Sequence, residues 1–117
     1  MKQTASRELF NRVEAGELSL DAPDTVIADA VYVLSSRATY NLSRTHIREV
    51  LSALLRLPNF RVENRSTLLD ALAIYDETNL DFSDAFIAAT MARRQSTTLY
   101  SYDTGFDKLP LINRLEP

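Results

Sequence analysis

Residues 80–110 of the chain read LDFSDAFIAATMARRQSTTLYSYDTGFDKLP, and this stretch decides the fold. Its first half opens on Asp81 and carries Phe82, Ala85, Phe86 and Ala89 at helical spacing. The spacing predicts a helix capped by Asp81 and ended at Arg93 and Arg94, where cations meet the negative end of the helix dipole. TTLYSY (97–102) is rich in β-branched and aromatic residues and predicts a strand. A helix feeding directly into a strand is half of a βαβ crossover, the unit that builds parallel sheets. Two acids stand at the joints. Asp84 takes the third helical position, where unpaired N–H groups favour a carboxylate. Asp103 precedes Gly105 at the strand's end, as in an Asx-type turn. Each acid has that local explanation, yet in open α/β sheets the chemistry gathers at the carboxyl ends of strands, where Asp103 falls.

Outward from this stretch the alternation continues. Ser66 is read as the cap of TLLDALAIYDET, an amphipathic helix, and FRVEN (60–64) as a strand with Phe60 and Val62 on one face. SRTHIREVLSALLRL (43–57) sets Ile47, Val50, Leu51, Leu54 and Leu55 on one helical stripe, capped by Ser43 and stopped before Pro58. His46, in its first turn, reads as a surface or capping residue. DTVIADAVYVLSS (24–36) is open on its residues alone: Val and Ile favour a strand, while Asp24 as an N-cap and the length of the run favour a helix. ELSLDAP (17–23) reads as a short strand closed by Pro23, preceded by a helix from Thr4 to Ala15 that Gly16 stops. FDKLPLINRLEP (106–117) supplies one more short apolar stretch. The expected fold class is α/β with a short parallel sheet flanked by helices, in one domain spanning residues 1–117.

Composition limits the chemistry. The 117 residues are 45% hydrophobic and 25% charged, ordinary values for a globular domain. Without cysteine there is no disulfide, no zinc–thiolate site and no thiol catalysis, and a single histidine excludes multi-histidine metal sites. A metal would need oxygen ligands, which points to Mg²⁺ or Mn²⁺. The net charge of −3 gives no general attraction to nucleic acid, so a polyanion would need a local basic face. No apolar run approaches the ~20 residues of a membrane helix, and the N-terminus carries no signal-peptide core; a cytoplasmic location is expected.

A third acid, Asp29, lies within VIADAVYVL, flanked by apolar residues. It is either one acid shown to solvent by an amphipathic helix or a charge facing a polar cleft. Asp29, Asp84 and Asp103 together would supply a carboxylate cluster for Mg²⁺, and Ser101 lies on the strand face of Asp103.

PDTVIADAVYVL, LDFSDAFIAA and LYSYDTGFDKLPLINRLEP resemble the PIN-domain ribonucleases, in particular VapC-type toxins of toxin–antitoxin pairs, over about residues 6–117. The resemblance implies a three-layer PIN-like fold in which 25–36 is helical. It implies an endoribonuclease whose acids hold Mg²⁺ or Mn²⁺, with Asp29 standing where the family usually has a helix glutamate. Asp84 matches the aspartate opening the late helix, Asp103 the one closing the next strand, and Ser101 the hydroxyl supporting the metal site. RNA as substrate, an antitoxin as partner and a homodimer or higher oligomer follow from the same resemblance. One departure stands out: the family opens on an apolar strand ending in an aspartate, and this chain starts almost directly at the helix of ASRELFNRVEAGE. The expectation is therefore a PIN-like fold with its first strand absent, little or no turnover, and an uncovered gap between flanking strands that an oligomer would fill. The alternative reading is a non-catalytic PIN-like module that binds RNA or an antitoxin. A phospho-accepting domain is disfavoured, because Lys108 lies beyond the last helix–strand unit and the only other lysine is Lys2.

Overall fold

A computed structural model describes residues 20–117. The expected helix at 4–15 and the start of the expected strand at Leu18 lie outside these residues. Within them the chain runs β1 (Leu20–Ala22), α1 (Thr25–Ser35), α2 (Arg44–Leu55), β2 (Phe60–Val62), α3 (Arg65–Glu77), α4 (Phe82–Arg93), β3 (Thr98–Tyr100), a 3₁₀ helix (Thr104–Lys108) and β4 (Asn113–Leu115). This is the mixed α/β architecture expected, and the ambiguous segment 24–36 is a helix. No helix among the described residues is long and apolar enough to cross a membrane.

Two of the expected caps form. The Ser43 hydroxyl accepts from the His46 N–H at 3.1 Å, and Asp81 Oδ1 accepts from the Asp84 N–H at 2.9 Å. Two do not. Ser66 lies inside α3, whose N-cap is Asn64 in the left-handed region at φ 59°. Asp24 has helical backbone and caps nothing with its side chain, which instead accepts from Asn64 Nδ2 at 2.8 Å. This bond between residues forty apart in sequence ties the start of α1 to the start of α3 and overrides both local capping signals.

The core sits between the helices. Ile27, Ile47, Leu55, Leu68 and Leu72 are fully buried, joined by Tyr75, Phe82, Ala85 and Ala89. Tyr75 meets Phe82 edge-on at 6.2 Å, and Phe82 stacks towards Phe86 at 6.4 Å, geometries that add to plain area burial. The helical stripe read in 43–57 holds for Ile47, Leu51 and Leu55, whereas Val50 is exposed at the margin of that face.

The strands pair in parallel, as the crossover pattern requires, but not in one sheet. β1 pairs with β2 (Leu20 opposite Phe60, Ala22 opposite Val62), and β3 pairs with β4 (Thr98 opposite Asn113, Tyr100 opposite Leu115). The described strands thus form two separate two-stranded sheets. The break falls between β1 and β3, the strands that the resemblance sets on either side of its absent first strand. Direct closure of the two is not seen. Val26 and Val33 of α1 are exposed, as a missing cover predicts, while Ala89 is buried against the other helices.

Candidate functional site

Asp84 and Asp103 are brought together by two short-range devices. The cap at Asp81 fixes the first turn of α4 and with it Asp84, the one acid of that turn. Asp103 is held where β3 gives way to the 3₁₀ helix. Its N–H donates to Ser101 Oγ at 3.0 Å, and its Oδ1 accepts from the Gly105 N–H at 2.9 Å. Ser101 is itself fixed, because its N–H donates to the Leu115 carbonyl at 2.8 Å and so extends the β3–β4 ladder. Gly105 is required by space. A Cβ there would lie 2.8 Å from Leu80 Cδ2 and 3.0 Å from Asp103 Oδ1, both inside ordinary contact.

The two carboxyl groups share a hydrogen bond, and their surroundings push them in opposite directions. Burial raises Asp84 first, reinforced by the bond to Asp103 and by the negative charges of Asp81 and Asp103, to about 7. Asp103 is held below its ordinary value, first by the bond from Asp84, then by the Gly105 N–H and the charge of Arg114. The pair is therefore a carboxylic acid donating to a carboxylate, with one proton between them.

Arg114, which the sequence did not single out, supports this arrangement. Its largely buried guanidinium binds Asp107 through two parallel bonds of 2.8 and 3.2 Å and donates to the Ser101 carbonyl at 3.0 Å. The forked guanidinium suits such a double contact. Nothing in INRLEP marks Arg114 in advance; only the parallel pairing of β3 with β4 carries it to the turn.

Asp29 is not gathered with the pair. It lies on the exposed side of α1, two residues from both Ile27 and Val31, whose burial turns position 29 away from the core. It makes no hydrogen bond or ion pair with a described residue, and no group of three or more acidic or histidine side chains among the described residues is placed to hold a metal ion. The donor set that does converge is two carboxylates. This fits Mg²⁺ or Mn²⁺, hard cations often held by one or two carboxylates, with water and substrate phosphate completing the shell. The proton shared by Asp84 and Asp103 occupies the place that such a cation would take.

Of the two arginines ending α4, Arg93 pairs with Asp70 at 2.8 Å, while Arg94 is exposed and makes no ion pair with a described residue. Both line a small cleft of about 180 Å³ with Asn64, Thr67, Phe86 and Thr90. His46 is on the surface, as expected.

A family model described as the PIN domain matches residues 3–111. No curated protein matches the chain.

Proposed function

The chain belongs to the PIN-domain family, and on that premise we propose that it is a metal-dependent endoribonuclease of the VapC type, working slowly through a two-carboxylate site. PIN domains are generally nucleases and typically bind divalent metals. The observation that carries the proposal is the convergence of Asp84 and Asp103 on one shared proton at the end of β3. Asp84 and Asp103 would hold Mg²⁺ or Mn²⁺. When bound, that ion supplies Lewis-acid activation of water and of the scissile phosphate. Asp84 releases its proton to act as a ligand, while Asp103 is already ionised at neutral pH. Ser101 and Gly105 orient the Asp103 carboxylate through its backbone, and Arg114 offsets the negative charge gathered around it. The cleft beside Arg93 and Arg94 offers a local basic face in an acidic protein, suited to an RNA phosphate. Asp29 would act at most from a distance as a third acid.

The test is cleavage of a labelled structured RNA with Mg²⁺ or Mn²⁺, with excess chelator, and with a DNA control. Slow cleavage of RNA that chelator abolishes is expected. The separation of Asp29 from the pair favours a second reading, a non-catalytic PIN-like module that binds RNA or an antitoxin. RNA binding without cleavage at any metal concentration would establish that reading instead, and cleavage that survives chelator would defeat both.

We further propose that the chain associates with itself and, as in toxin–antitoxin pairs, with an antitoxin that covers the carboxylate pair. The support is the split sheet. β1 and β3 each have one strand edge unpaired among the described residues, and such edges invite a further strand. Sedimentation at low micromolar concentration is expected to give a dimer or larger species. A monomer that unfolds cooperatively would sink the self-association.

A further inference from the structure

The corner between α3 and α4 is gripped from outside by one side chain. Arg44, the first residue of α2, donates from Nε to the Tyr75 carbonyl at 2.7 Å and from Nη2 to the Leu80 carbonyl. Its guanidinium lies over the Tyr75 ring, 3.8 Å from the centroid. Carbonyls at the end of a helix and just beyond it lack helical partners, and a planar cation with several donors can satisfy two of them at once.

What the corner touches makes this contact relevant to the carboxylates. Leu80 immediately precedes Asp81, whose carboxylate caps α4 by accepting from the Asp84 N–H. The Leu80 side chain is buried, and its Cδ2 fills the space over Gly105, the residue whose N–H binds Asp103 Oδ1. Leu80 is thus the one residue in contact with the supports of both acids: by its backbone with the cap of Asp84, by its side chain with the turn of Asp103. Thr78 adds a local brace, accepting from the Leu80 N–H at 3.2 Å and donating to the Ile74 carbonyl at 2.7 Å. Arg44 alone ties that corner to a different helix through Leu80. Arg48, one turn further along α2, reaches only Asp76 (3.0 Å) and Glu77 (3.6 Å), within α3 itself.

We propose that Arg44 is a positioning residue for the Asp84–Asp103 pair, acting through the carbonyl of Leu80 to hold the two acids at one separation. The proposal rests on reading that pair as the metal site. An arginine with two carbonyl bonds and an aromatic face beneath it has little freedom left, so the corner it holds is fixed relative to α2 rather than only to its own helices.

The experiment measures Mn²⁺ affinity by calorimetry and, on the same proteins without metal, hydrogen exchange at the Asp84 and Gly105 amides. Arg44→Met keeps the stem and removes both carbonyl bonds. It is expected to weaken Mn²⁺ about tenfold and to speed exchange selectively at those two amides. Arg44→Lys, which retains the charge and folds more securely, should recover part of both. Arg48→Met, which removes an ion pair on the same helix, should leave both unchanged. Wild-type affinity and wild-type exchange in either Arg44 variant would overturn the proposal, as would equal losses in Arg48→Met, which would mean a general loosening of α2 against α3. If the wild type takes up no Mn²⁺, the metal reading fails, and the two amides alone decide. Selective acceleration in the Arg44 variants then supports the positioning role, and unchanged exchange overturns it.

Discussion

Asp84→Asn is expected to lower metal-dependent RNA cleavage by about 10²-fold or more and, in the same protein, to raise stability above pH 7. The two effects have one cause. Without metal, the folded protein holds a proton on Asp84 up to about pH 7, because burial and the neighbouring charges of Asp103 and Asp81 oppose its ionisation. The unfolded chain loses that proton near pH 4. Between these values the folded state binds more protons than the unfolded one, so Asp84 makes stability fall as pH rises, and the loss is complete above about 7. Asp84 is only partly buried, so solvent screening limits the effect to roughly 1 kcal/mol. Asp103 works in the opposite sense: its lowered value favours the folded state above the ordinary aspartate range, and that contribution fades as the pH falls. Asparagine at 84 keeps a donor towards Asp103 but carries no charge, so the decline between about pH 4 and 7 should disappear. Chemical denaturation across this range, beside the cleavage assay, checks both halves. A variant that cleaves like the wild type would remove Asp84 from the site. One that loses cleavage without gaining stability would refute the shared-proton description.

Phe106→Ala should give the largest loss of stability near the site. The segment that presents Asp103 has little backbone support of its own. It is a five-residue 3₁₀ helix, and its first bond, from the Phe106 N–H to the Asp103 carbonyl, is 3.5 Å long. Phe106, 1% exposed, is its buried anchor. Removing a buried phenyl ring costs about 3–5 kcal/mol, a large part of the roughly 5–15 kcal/mol that holds a domain together. Thermal unfolding should show a midpoint lower by about 10 °C or more. Leu111→Ala is the control, since Leu111 is 80% exposed and its truncation should stay within about 0.5 kcal/mol. Comparable midpoints for the two variants would mean that the Asp103 turn is held by something other than Phe106.

The sequence by itself determined what short-range physics controls. The helices over 25–35, 44–55, 65–77 and 82–93 follow from apolar spacing, with the family resemblance deciding the first, and the crossover pattern correctly implies parallel pairing. The caps at Ser43 and Asp81 could be read because donor and acceptor lie three residues apart. The Asx-type turn at Asp103 was legible for the same reason. Tertiary structure decided the rest. Asn64 displaced Ser66 as a cap and drew the Asp24 side chain away from its own helix, an exchange between residues forty apart that no local signal encodes. The meeting of Asp84 with Asp103, the turning away of Asp29, the arrival of Arg114 and the grip of Arg44 on Leu80 depend on how helices and strands pack. The sequence supplied acids at the joints of its elements; packing chose which two would share a proton, because only burial and close approach make two carboxyl groups compete for one.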